Sequence, residues 1–207
     1  MNKVHFWGAI RLMAGVQKAK SEETHRRVLE AAIAAVEAGG MEAVNIRKIA
    51  ADAGYSVGSV YKHFADQDAL LLAVNSVTLG RIKDLMASKV ETVDEPLARL
   101  KVLALAYLAF ARDNRNLWMT LFSHHLPDGK AVPEWHIQEN IALLGFIAAP
   151  LRELDPSMQE EDLAARTRTA FAAVHGLVTI SLEARFVGLS GEKLEQEMNF
   201  LVERLAG

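Results

Sequence analysis

An all-α fold is predicted, with a small three-helix head followed by a larger helical body. Three observations carry that prediction. Half of the 207 residues are hydrophobic (51%) and only five are proline, a balance rich in alanine and leucine that favours helix. Apolar residues recur at three- and four-residue spacing, as in Leu97, Leu100, Leu103, Tyr107 and Phe110, and no run alternates with the two-residue period of a strand. Turn-forming clusters at Gly39-Gly40, 91–96 and Pro127-Asp128-Gly129 cut the chain into helix-length pieces. A chain of this length can bury a sizeable core in one or two domains.

The elements follow in order. A first helix is expected from about Ser21 to Ala38, capped by Ser21 or Thr24, with Glu22 and Glu23 at its positive end. Val28, Ala31, Ala32, Ala35 and Val36 form its packing stripe, and Gly39-Gly40 stops it. Ile46, Ile49 and Ala50 give a second helix one apolar face, and Ala50 is small where another helix must cross closely. Gly54 marks the turn, where a left-handed backbone is easiest for glycine. Ser56 caps a third helix, whose core face is Val57, Val60, Tyr61 and Phe64. Asp66 begins a fourth, through Leu70, Leu71, Val74, Val77 and Ile82 towards Met86, which starts in the head and links it to the body.

In the body, Pro96 fits the first turn of a helix ending near Asp113-Asn114. Another covers about 116–125, and the next runs from near Pro133 to Leu154 with a kink at Pro150. The longest is expected over 160–187, with Leu163, Thr167, Phe171, Val174, Val178, Leu182 and Phe186 along one side and Gly188 as its stop. Ser190 caps a last helix carrying Leu194, Met198, Leu201 and Leu205. The domain boundaries expected from these elements are a flexible arm over 1–20, the head over 21–67 and the body over 68–207.

Net charge is −3, unevenly spread: residues 1–65 carry nine Lys/Arg against six Asp/Glu, and residues 66–207 fourteen against twenty. A basic head on an acidic body favours a polyanion at one end. The excess is modest, so affinity must rest on placed contacts. With no cysteine, disulfides, zinc–cysteine sites and thiol nucleophiles are excluded. No membrane span is visible, and a cytoplasmic location is expected. The apolar run Val4 to Ile10 is interrupted by His5, followed by Arg11 and lacks a small-residue cleavage site. Residues 1–12 read as a flexible arm or an extension upstream of a natural start at Met13. Lys3, Arg11, Lys18 and Lys20 also permit a basic arm that reaches DNA.

Residues 45–64 have the layout of a DNA-binding helix-turn-helix, whose second helix enters the major groove. Core packing alone leaves the exposed Arg47, Lys48, Ser59, Lys62 and His63 unexplained. The run Tyr61-Lys62-His63-Phe64, a short acidic break and Ala69-Leu70-Leu71 resemble the N-terminal domain of TetR-family transcriptional repressors. His25-Arg26-Arg27-Val28-Leu29-Glu30-Ala31-Ala32, Gly39-Gly40 and Ala43-Val44-Asn45-Ile46 fit the same pattern, which covers about 22–75. The resemblance implies that the third helix reads bases while its neighbours hold phosphates. Ser56, Gly58, Ser59, Lys62 and His63 lie off the core face. Gly58 permits close backbone approach, Ser59 can reach a base edge or phosphate, and Lys62 supplies a phosphate or guanine contact. Tyr61 reads two ways: as part of the core face, or with its ring inward and its hydroxyl reaching a phosphate. Asn45 and Arg47 suit backbone contacts at the start of the second helix. Gln67, flanked by Asp66 and Asp68, stands where the family often has a lysine, which removes one phosphate charge.

In the body the resemblance thins to Ala173-Val174-His175-Gly176-Leu177, similar to a C-terminal signature of some members. It implies a homodimer through the last two helices, with Gly176, Val178, Leu182, Phe186, Met198, Leu201 and Leu205 at the interface. An intramolecular core is the other reading. Tyr107, Phe110, Trp118, Met119, Phe122, Trp135, Phe146, Phe171 and His175 are either plain core or the lining of an effector pocket, with His175, His124 or Thr120 to orient a ligand. His124, His125 and His136 invite a metal reading, but they are not taken as a metal site, and no metal or cofactor is expected. No Gly-x-Ser-x-Gly, phosphate loop, His-Glu-x-x-His or dinucleotide fingerprint occurs. The expectation is a non-enzymatic, ligand-responsive regulator, normally a repressor, bound to a palindromic double-stranded operator. The alternative is a helical small-molecule-binding protein without operator binding.

Overall fold

The computed structural model describes residues 3–183 and 187–207, with side chains from Gly15 onward. Among the described residues the chain is all helix: α1 (Lys3–Gly39), a 3-10 turn (Met41–Ala43), α2 (Ile46–Ala53), α3 (Val57–Tyr61), α4 (Gln67–Val90), α5 (Pro96–Asp113), α6 (Arg115–Ser123), α7 (Glu134–Leu154), α8 (Glu160–Leu182) and α9 (Gly191–Ala206). No described helix is long and apolar enough to cross a membrane.

The head is set by local chemistry. Asn45 caps α2, its side-chain oxygen accepting from the Arg47 and Lys48 amides. Gly54 closes α2 in the left-handed region at φ 78°. Ser56 Oγ accepts from the Ser59 amide to start α3, and Asp66 Oδ1 from the Ala69 amide to start α4. Val28, Ala32 and Val36 of α1, Ile49 and Ala50 of α2, and Val60 of α3 are almost wholly buried together with Leu70 and Val74 of α4. Each fully buried side chain of Val or Leu size contributes about 1.5–3 kcal/mol.

Four expectations are corrected. Helix α1 begins at Lys3, not near Ser21. The first proline of the chain is Pro96, so nothing forces a break, and Thr24 Oγ1 donates back to the Lys20 carbonyl at 2.9 Å, as a mid-helix threonine does. Helix α3 spans only Val57–Tyr61, and Tyr61 is 52% exposed rather than part of the core. Its core face is completed by Phe64 from the following turn. Helix α8 stops at Leu182, short of Gly188, and Leu189 N–H turns back to Ser181 Oγ. Phe186, expected on the same stripe, lies outside the described residues.

The body has a second core of α4–α9, with Ile82, Tyr107, Trp118, Val178 and Met198 at its centre. Two elements enter both cores. Helix α4 puts Leu70, Leu71 and Val74 in the head and Ile82 and Met86 in the body. Helix α6 does so with adjacent residues: Leu117, 2% exposed, belongs to the head core and Trp118, 1% exposed, to the body core.

Candidate DNA-binding face and body cavity

The exposed side of α2 and α3 carries the residues singled out in the sequence. Asn45, Arg47, Ser56, Gly58, Tyr61, Lys62 and Gln67 are exposed, and Ser59 and His63 half-buried. Asn45 is partly committed, because its side-chain oxygen caps α2. Ser56 and Ser59 share a hydroxyl–hydroxyl bond of 2.9 Å, which uses one donor and one acceptor site and leaves the pair further capacity to contact DNA. A Cβ built on Gly58 meets only Ser56 Oγ, at 3.9 Å, so the chain itself places no demand for glycine there. Tyr61 presents its ring outward. The His63 ring lies 5.9 Å from that of His25, which stacks on Phe64 at 4.8 Å. Burial, then the neighbouring His63, pushes the His25 pKa down.

Beside Gln67 the structure brings a cation that the sequence did not announce. Lys130, from the α6–α7 connection, lies 2.7 Å from Asp66 and 3.2 Å from Asp68. Hydrogen bonding to Lys130 is the main reason the Asp66 pKa is lowered. His124 Nε2 is also 3.2 Å from Asp68, and its Nδ1 3.5 Å from Asn75 Nδ2. A loop of the body is thus tied to the first turn of α4.

Within the body, Tyr107, Phe122 and Phe171 line a cavity of about 150 Å³ with Leu79, Ile82 and Leu143. A smaller apolar void of about 50 Å³, between α5, α7, α8 and α9, shares Met86, Tyr107, Ile147 and Phe171 with it. The other expected lining residues lie elsewhere. Phe110 is core, Met119 packs against the core, Phe146 lines an outer groove, and Trp135 is 48% exposed against His136. Trp118 is behind the wall: its Nε1–H donates to the Tyr107 hydroxyl at 2.9 Å. That leaves the single hydroxyl proton for His175 Nδ1, 2.8 Å away, and His175 Nε2 lies 3.3 Å from Thr179 Oγ1. The relay needs a neutral His175, and burial indeed pushes its pKa down.

His175 is therefore spent within the protein, although its ring lies 4.3 Å from that of Phe122. The same holds for Thr120, which donates to the Asn116 carbonyl, and for His124. His125 is held by the Ser123 carbonyl and His136 lies beside Glu139. Among the described residues no three His, Asp or Glu come together as a metal set. Besides Tyr107, whose hydroxyl is engaged, the polar residues that line the larger cavity are Arg168 and Asn140. Sequence pattern could not separate them from ordinary surface residues of amphipathic helices.

The expected dimer residues divide. Val178 and Met198 have no exposed surface even in the single chain, so a second copy cannot reach them. Leu182 packs against the body core, and Leu205 lines the smaller void. The α8 stripe read from the sequence faces its own α5, α7 and α9. What remains open is the opposite face. A Cβ on Gly176 meets nothing, Ile180 is 40% exposed, and Phe200 of α9 is 52% exposed, while Leu201 is half-buried.

Comparison with known proteins follows the two cores. Residues 28–74 match the model of bacterial regulatory proteins of the tetR family, and residues 100–205 that of the tetracyclin repressor-like C-terminal domain. An uncharacterized HTH-type transcriptional regulator of Haemophilus influenzae is 24% identical over 192 residues, covering 89% of this chain and 87% of its own. A solved protein of unknown function from Rhodococcus sp. RHA1 has a TM-score of 0.73 at 24% identity, covering 89% of this chain and 96% of its own. The transcriptional regulator FadR of Bacillus subtilis, in complex with stearoyl-CoA, has a TM-score of 0.67 at 16% identity, covering 88% and 97%. At these identities the solved structures share the fold.

Proposed function

The chain belongs to the TetR family of DNA-binding, non-enzymatic transcriptional regulators, and on that premise we propose that it is a homodimeric repressor, released from a palindromic operator when a small apolar or aromatic effector enters the body cavity. One observation carries the reading. Leu117 and Trp118, neighbours on α6, sit in different cores, and Leu121 and Phe122 of that helix line the cavity. A ligand that displaces Phe122 thereby loads a helix whose other face is inside the head. Helix α4 offers a parallel route, with Leu79, Ile82 and Met86 on the cavity and Leu70, Leu71 and Val74 in the head core. Both elements also grip α1 through Glu37: Asn116 Nδ2 donates to its carbonyl and Arg81 pairs with its carboxylate, each at 2.8 Å.

Major-groove reading by α3 fits this frame, since α3 and the start of α2 expose Arg47, Lys48, Tyr61 and Lys62. Two heads about one DNA turn apart, roughly 34–36 Å, would meet successive half-sites. The FadR of Bacillus subtilis holds stearoyl-CoA, and for this chain an apolar effector is supported by the hydrocarbon walls of the cavity. Titration of the protein onto the intergenic DNA flanking its gene, with and without an apolar ligand panel, tests the proposal. Specific binding that weakens with a cavity ligand supports it. Absence of specific binding favours a helical small-molecule-binding protein, a reading to which Gln67, without the expected phosphate charge, gives some weight.

A further inference from the structure

We infer that the effector carries a carboxylate, docked on Arg168 of the larger cavity's lining with Asn140 as the other open polar group there, attached to an apolar body about the size of one aromatic ring. This rests on the reading of that cavity as the effector site. The sign of the charge comes from Arg168. Arginine is charged at any pH the protein meets, and among the described residues no carboxylate lies within ion-pair distance of Arg168. Its helical neighbours three and four residues away are Ala164, Ala165, Phe171 and Ala172, so its own helix offers no acid. Arg27, Arg47, Arg115, Arg166 and Arg204 likewise have no carboxylate within ion-pair distance among the described residues, but of the described arginines Arg168 is the one that lines this cavity. A guanidinium left open beside a hydrocarbon cavity disfavours a cationic ligand and rewards an anionic one.

The carboxylate follows from shape. A guanidinium fork matches a carboxylate in a bidentate arrangement. Asn140 donates one Nδ2 hydrogen to the His136 carbonyl at 2.8 Å, which orients the amide and leaves its second N–H available. No other lining side chain offers a free polar group, because the Tyr107 hydroxyl is engaged by Trp118 and His175. The size comes from the cavity of about 150 Å³, a volume that in an engineered protein interior accommodates benzene. Leu79, Ile82, Phe122, Leu143 and Phe171 would then surround the ring, with the head group at the solvent-exposed Arg168.

Calorimetric titration of the full chain with benzoate, benzyl alcohol and benzylamine tests this. Benzoate should bind most tightly to the wild type. Arg168→Gln should weaken benzoate about tenfold while leaving benzyl alcohol within about twofold, the scale of one charge-assisted contact at a partly solvated site. Arg168→Lys should recover part of the loss. Because Arg168 is exposed, neither variant threatens folding, and an unchanged melting temperature confirms that. Equal loss of both ligands, no loss of benzoate, tighter binding of benzylamine, or no benzoate binding at millimolar concentration overturns the inference. Leu143→Trp separates it from the reading beneath it. If this cavity-filling change abolishes benzyl alcohol binding while Arg168→Gln leaves benzoate untouched, the site stands and the carboxylate falls. If ligands bind and Leu143→Trp affects none of them, the cavity is not the effector site and both fall.

Discussion

Lys62 and Arg47 are exposed, and among the described residues neither has a carboxylate within ion-pair distance, so each is free to neutralise a phosphate. Lys62→Ala and Arg47→Ala should each weaken operator binding and reduce the salt slope by about one counterion. Fluorescence anisotropy over a salt titration reads both quantities, and wild-type affinity throughout would remove the residue from the contact map. Gly58 allows a sharper test. The chain has room for a methyl there, and alanine is the better helix former by about 0.5–1 kcal/mol. Gly58→Ala should therefore leave the melting temperature unchanged or raised while operator affinity drops, a combination that only close approach of DNA explains. The histidines set a pH dependence. Both His25 and His175 are held below the ordinary value of 6.5, burial being the main cause in each. Below that pH the unfolded chain takes up protons that the folded chain resists. Stability is thus full above about pH 6.5 and declines as the pH falls from there towards the folded values. Denaturant midpoints on either side of that pH check it, and a midpoint that rises on acidification would contradict the burial of these rings. At this scale the head was largely legible, because caps and turns are local: Asn45, Gly54, Ser56 and Asp66 each act within four residues of themselves. Tyr61 was misread because helical spacing gives a direction, whereas the helix ends at that very residue.

Helix α6 is the element least explained by its sequence alone. Nine residues with an apolar stripe read as one more body helix, yet Leu117 is inside the head. Periodicity says that a face is apolar but not which of two cores it enters, and adjacent helical residues point about 100° apart. Leu117→Ala should cost about 2–5 kcal/mol of stability through the lost contacts and the cavity left behind. Its diagnostic effect is on coupling. Effector binding at Phe122 and Leu143 should persist in the folded variant, while the effector-induced loss of operator affinity shrinks. Parallel ligand and DNA titrations at a temperature where the variant is folded measure this. Undiminished coupling would shift the burden to α4 and to the contacts of Lys130 and His124 with its first turn. The aromatic cluster shows the same limit. Tyr107, Phe122 and Phe171 do line the cavity, but Trp135 is exposed and Phe146, half-buried against the core, lines a separate groove. Which way a helix is rotated depends on neighbours distant in the chain.

For the whole molecule, an effector can change operator affinity only by as much as it distinguishes the two arrangements of the heads. A coupling of about 1–3 kcal/mol would change DNA affinity some 5–150-fold. That leverage needs two heads held at a defined separation, and hence a second copy. The long apolar stripe of α8 is the contact the sequence suggests, but its own chain consumes it: Leu163, Thr167 and Val178 are already buried in the single chain. The opposite face, with Gly176, Ile180 and Phe200, is small and apolar at its centre and carries Arg204 over the Phe200 ring at 5.2 Å. Gly176→Glu tests it cleanly. A Cβ at Gly176 meets nothing within 4 Å beyond its own helical turn, so the substitution should spare the fold, and glutamate is a good helix former. In a dimer packed through this face it would place two carboxylates at or near the two-fold axis, where burial without partners is strongly unfavourable. Light scattering at micromolar concentration should give a dimer mass for the wild type and a monomer mass for Gly176→Glu, with unchanged helicity by circular dichroism. Operator affinity should fall steeply while weak binding to a single half-site survives, since α2 and α3 are untouched. A dimeric Gly176→Glu would move the interface off this face, and the exposed Trp135 and Ile141 of α7 would be the next surface to vary.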